Sequence, residues 1–131
     1  MGKSTMWRDV LGVLMRAREI ILSGWCQGSM AQNANGSPLN LEDTDATHFC
    51  AIGALDKALT EAGKARATVL WTSVEATCAK DLLDEIAMSR CSRSIVSFND
   101  TSGTTQRDVL VVYDIAIEKA KEKAMVELSS P

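Results

Sequence analysis

The chain of 131 residues holds a single histidine, His48, and no two of its four cysteines, Cys26, Cys50, Cys78 and Cys91, form a CxxC pair. A zinc knuckle is excluded as a motif, because structural zinc sites draw their thiolates from such close pairs. Cys26, His48, Cys50 and Cys91 would supply the right number of ligands. However, His48 and Cys50 are separated by one residue, which on a helix turns them about 200° apart. No metal and no cofactor is expected. A zinc deaminase is excluded as well, since no glutamate lies two residues after His48 and no PCxxC follows.

Basic charge is also scarce. Fourteen lysines and arginines stand against seventeen acids, for a net charge of −3 and a pI near 5.1. Broad phosphate neutralisation needs a basic face, so general nucleic-acid binding is not expected, whereas a small anion held by one or two arginines remains open. No apolar run reaches the length that spans a bilayer. The apolar stretch from Trp7 to Leu22 is interrupted by Arg8, Asp9, Arg16, Arg18 and Glu19, unlike a secretory leader. Met6 stands where a myristoylation signal requires Ser or Thr. With no disulfide framework in view, the expected compartment is the reducing cytoplasm, with no membrane partner.

What is present is helical periodicity. The length fits one domain, and 46% hydrophobic content suffices for one core. Val10, Leu11, Leu14, Ala17 and Ile21 recur at helical spacing, predicting a helix over about 5–23 that stops at Ser23-Gly24. Residues 25–44 collect Gly28, Asn33, Asn35, Gly36, Pro38 and Asn40, which predicts a long loop with room for a short hairpin around Asn35-Gly36. Thr44 or Asp45 is expected to cap a second helix over 45–62, with His48 on its first turn, half exposed, and Cys50 in its buried stripe. A third helical region, 65–90, is either continuous or two helices meeting near Thr72, where Thr72-x-x-Glu75 reads as a capping box. Ser94 to Asp100 reads as an extended connector, and Thr104-Thr105-x-x-Asp108 opens a last helix over 104–127. The expected fold is all-α, a single small domain of four to five helices.

Three ordered stretches carry a resemblance: "GWCQGSMAQNANGSP" after the first helix, "FCAIGALDKA" inside the second, and "SIVSFNDTSGTTQRDVLVVYDIAI" into the last. Together they resemble the domain of unknown function 6197 family of bacterial and phage proteins. The resemblance implies these fold boundaries and a phage or mobile-element origin, and it makes residues 64–75 look like an insertion. It implies no activity.

Two sets of residues are candidates for chemistry. Cys26 or Cys50 with His48, and Asn99 or Asp100 as the third group, have the types needed for a thiol-nucleophile triad in a hydrolase or transferase. No cysteine-protease signature surrounds either thiol, and cysteine is often simply buried, so packing is the preferred reading. The second set is Trp25, Gln27, Arg93, Asn99, Asp100 and Arg107. Arg93, Arg107 and the helix start after "SGTT" can hold an anion, although that stretch lacks the Gly-Lys pair of a P-loop, and Trp25 can stack on a base. Asn99-Asp100 can equally pin the Trp25-Gln27-Gly28 loop through backbone hydrogen bonds. The expectation is a non-enzymatic binding module of phage or mobile-element type that engages a host protein or sequesters a small nucleotide-like anion. Helix one is apolar nearly all round, with Met6, Val13, Met15 and Ile20 outside its main stripe, so either a homodimer or the long loop is expected to cover that face.

Overall fold

A computed structural model of the protein describes residues 5–63 and 73–129. Among them, five helices surround one core, with a small three-stranded sheet at one end. The helices are α1 (Met6–Ser23), α2 (Ala51–Glu61), α3 (Val74–Cys91), α4 (Ile95–Asp100) and α5 (Gln106–Ser129). The fold is thus mostly helical, and α1 is its axle. It packs against α5, α2 and α3 at once, which explains its apolar surplus. Val13 and Ile20 are 4% and 6% exposed, so the second apolar face finds its cover within the chain, chiefly from helices and not from the long loop. Met15 alone of that set stays open, at 47%. No helix among the described residues is long and apolar enough to cross a membrane.

The hairpin forms. Strands β1 (Ala31–Gln32) and β2 (Pro38–Leu39) pair antiparallel, Ala31 facing Leu39. Asn33 Oδ1 accepts from the backbone N–H groups of Asn35 and Ser37, and Gly36 takes the left-handed φ of +84° that the turn requires. A third strand, β3 (His48–Phe49), pairs antiparallel with the other edge of β1. This strand corrects the expected start of the second helix. Residues 45–49 do not form a helical turn, and neither Thr44 nor Asp45 is the cap. Asp43 Oδ1 accepts from Asp45 N at 2.8 Å, a local turn that competes with helix, and β3 is held on both sides by backbone pairing. The cap is Cys50, extended at φ −75°, ψ 174°, whose sulfur accepts from Gly53 N at 3.2 Å.

Two other boundaries differ for physical reasons. Ser73 caps α3, accepting from Ala76 N, while Thr72 and Trp71 lie outside the described residues together with most of the expected insertion and any break near 72. The segment expected to be an extended connector is the short helix α4. Ser94 caps it by accepting from Ser97 N, and the Asp84 carboxylate of α3 accepts from Ile95 N at 2.9 Å. Tertiary hydrogen bonds here override the β-leaning run Ile95-Val96. At α5 the expected capping box forms one residue later than its first threonine: Thr105 Oγ1 accepts from Asp108 N, and Asp108 Oδ2 accepts from Thr105 N.

Candidate functional site

Two regions gather polar chemistry, a closed junction around Asn99 and an open cleft beside it. The junction is where the loop after α1, the start of α2 and the end of α4 meet. Asn99 is 1% exposed and all four of its hydrogen-bonding valences are filled by protein. Its Oδ1 accepts from Trp25 Nε1 at 2.8 Å and from Ala51 N at 2.9 Å, while its Nδ2 donates to Cys26 O at 3.1 Å and to Asp100 Oδ1 at 2.9 Å. Asp100 Oδ1 also accepts from Gly28 N at 3.0 Å. The Gln27 side-chain amide donates to the carbonyls of Asn99 at 2.8 Å and Thr101 at 3.1 Å. Tyr113, fully buried on α5, closes the junction from below by donating to Ala51 O at 2.7 Å. Burial holds its phenol well above the usual range.

Four of the six candidate ligand residues, Trp25, Gln27, Asn99 and Asp100, therefore meet, but they meet one another. With its amide saturated, Asn99 acts as a pin between three segments. Asp100 is itself exposed, and its hydrogen bonds from Asn99 Nδ2 and Gly28 N both use Oδ1. Arg93 and Arg107 are exposed, and among the described residues neither makes a hydrogen bond or ion pair to this junction.

The thiols lie in the same junction. Trp25 and Phe49 form a parallel bridge, with Cys26 N donating to Phe49 O and Phe49 N to Gly24 O. The backbones touch so closely here that a Cβ on Gly24 would stand 2.2 Å from Thr47 O. Burial first and the neighbouring Cys50 second push the Cys26 thiol up to about 11. Burial also raises Cys50. His48 instead pairs its Nδ1 with Thr47 Oγ1 at 2.8 Å, on the half-exposed side of β3, and it does not figure among the groups acting on either thiol. Among the described residues no hydrogen bond joins His48 to Cys26 or Cys50. Among the described residues no three metal-ligating side chains converge.

The cleft lies between the end of α3, α4 and the start of α5. Arg90, Cys91, Phe98, Asp108 and Val111 line about 500 Å³ open to solvent. Sequence reasoning missed Arg90 and Phe98: the first stands at the end of the expected third helical region with no distinguishing neighbour, and the second falls in the segment read as extended. It also missed Asp56, which sits on α2 fully buried with both carboxylate oxygens unpartnered. Burial raises that carboxyl to about 6. An acid inside the apolar run Ala54 to Leu59 was the available signal.

Residues 7–119 match the Family of unknown function (DUF6197). No curated protein and no solved structure matches the chain.

Proposed function

The chain belongs to this family, and from that premise we propose that it is a non-enzymatic binding module, a cytoplasmic accessory protein of a phage or mobile element, that takes a small nucleotide-like anion in the cleft at Arg90. The ordered motifs support the origin, and four free thiols suit a reducing compartment. The observation that carries the ligand class is an unpaired arginine beside a half-buried aromatic ring. Arg16 is neutralised by Glu61 at 2.8 Å and Arg18 by Asp114 at 2.6 Å, whereas Arg90 makes no ion pair among the described residues. The one acid in the cleft, Asp108, is engaged as the helix cap of α5.

Arg90 is the one guanidinium that lines the cleft among the described residues; Arg93 and Arg107, each within two residues of a lining residue in sequence, are exposed. Guanidinium forks bind phosphate oxygens bidentately, and the Phe98 ring offers a flat apolar surface to a base. Phe98 takes the stacking role that sequence assigns to Trp25, whose indole N–H is committed to Asn99. A carboxylate of a host protein is the other occupant with matching chemistry. Thermal shift with a panel of nucleoside 5′-monophosphates tests the reading: at least one should raise the melting temperature in the native protein and not in Arg90→Ala. A flat panel, with a lysate protein captured by the native chain and lost in Arg90→Ala, transfers the cleft to the host-protein partner. A flat panel without such capture removes the proposal.

The alternative, a cysteine-dependent hydrolase or transferase using Cys26 or Cys50 with His48, has no observation in its favour. Nucleophilic catalysis needs thiolate, and both sulfurs sit where burial favours the thiol. A homodimer through Val13 and Ile20 has no exposed surface to use.

A further inference from the structure

We infer that Cys26 and Cys50 form a latent disulfide pair, a redox-sensitive clasp between the loop after α1 and the cap of α2. Two independent features place the residues side by side. The parallel bridge sets Trp25 opposite Phe49, so the next residues along each strand, Cys26 and Cys50, are cross-strand neighbours with side chains on the face opposite the Trp25 and Phe49 rings. The Asn99 amide then straddles the same two chains, donating to Cys26 O and accepting from Ala51 N. Paired strands run about 4.7–4.9 Å apart. That spacing lies within the window of about 4.4–6.8 Å between Cα atoms that a disulfide spans. Both side chains are buried, at 6% and 8% exposure, and both are free thiols.

The oxidant is a small-molecule disulfide such as oxidised glutathione. One cysteine thiolate attacks it, forming a mixed disulfide and releasing one small thiol. The second cysteine, as thiolate, then attacks the first cysteine's own sulfur in the mixed disulfide, forming the Cys26–Cys50 bond and releasing the other small thiol. Two protein thiols and one small disulfide thus become one protein disulfide and two small thiols. Closure takes the Cys50 sulfur from Gly53 N and the Cys26 sulfur from Ser29 O, so the helix cap is exchanged for a covalent tie. Burial keeps both groups as thiols, so the exchange is slow in the closed protein and proceeds when the loop opens.

The test is to incubate the native protein with a millimolar excess of oxidised glutathione, quench with acid, alkylate and digest. Trypsin leaves both cysteines on one peptide, Glu19 to Lys57, and further cleavage at Glu42 separates them. The expected result is that this peptide loses two hydrogens and that its halves stay joined after cleavage at Glu42, while Cys78 and Cys91 carry only glutathione or the alkyl label. Cys26→Ser should leave Cys50 without an intramolecular partner, and the wild-type mass map stands even if that variant fails to fold. Mixed disulfides on Cys78 and Cys91 with no Cys26–Cys50 link would overturn the inference. So would a link that forms as readily in urea-unfolded chain as in the native protein, since it would then owe nothing to the fold.

Discussion

Replacing Asn99 by alanine should be among the most damaging single changes in the protein. The substitution strips partners from Trp25 Nε1, Ala51 N and Cys26 O together. Trp25 is half-buried and can turn toward water, but the hydrogen bond to Ala51 N is buried, as is the one to Cys26 O. A buried group left unsatisfied costs about 1–3 kcal/mol. Two such groups and a small cavity therefore predict a loss of about 4 kcal/mol, a large part of the roughly 5–15 kcal/mol that holds a domain together. Asn99→Asp separates hydrogen bonding from volume: it keeps the acceptor for Trp25 and Ala51 but turns the donor into an acceptor facing Asp100 Oδ1. Burial and Asp100 should raise the folded-state pKa of the introduced carboxyl above its unfolded value. Its stability contribution is then present at low pH and is lost as pH rises through the folded value. Urea unfolding followed by tryptophan fluorescence, at unchanged denaturant slope, measures both variants. A loss below about 1 kcal/mol for Asn99→Ala would show that the junction does not hold the three segments together.

Asp56 carries its own pH dependence: with its carboxyl raised from 3.8 to about 6, stability present below the lower value is lost as pH rises through the upper one. The shift corresponds to an upper bound of about 3 kcal/mol at neutral pH, so urea midpoints of wild type should fall relative to Asp56→Asn between acid and neutral pH, and parallel pH profiles would contradict this. Gly53→Ala should destabilise by about 2 kcal/mol or more, because the added Cβ would meet Met30 O at 2.1 Å against backbone that cannot yield cheaply; a melting temperature equal to wild type would show that the first turn of α2 does not lie against the Met30 carbonyl. Tyr113→Phe should cost about 1 kcal/mol by removing a buried hydrogen bond to Ala51 O, which keeps its place in the helical ladder of α2, and calorimetry showing no change would mean that the phenol contributes only its ring.

The sequence was most informative where one side-chain pattern decides one element. The stripes of α1 and α5, the Asn35-Gly36 turn and the Thr105-Asp108 box are local chemistry, and each is present where periodicity or turn preference places it, within a residue or two. β3 and α4 were not legible, because what fixes them is distant. His48-Phe49 is a strand only because β1 lies along one edge and Trp25 along the other, and Ile95 turns helical under the Asp84 carboxylate. The same division runs through the sites. That Asn99-Asp100 would meet the Trp25 loop follows from residue types that seek backbone partners. The saturation of Asn99 by Trp25, Cys26, Ala51 and Asp100 depends on four segments converging. Arg90 has no distinguishing neighbour in sequence and becomes a candidate only once three helix ends enclose it with Phe98.

Amide NMR titration with the nucleoside 5′-monophosphate that gives the largest thermal shift bears most directly on the cleft as the binding surface. Saturable shifts should centre on Arg90, Cys91, Phe98 and Val111 and should vanish in Arg90→Ala, while the amides of Ala51 and Gly28 stay in place. Shifts confined to the loop at Trp25–Gly28, or a titration that Arg90→Ala leaves unchanged, would contradict the account.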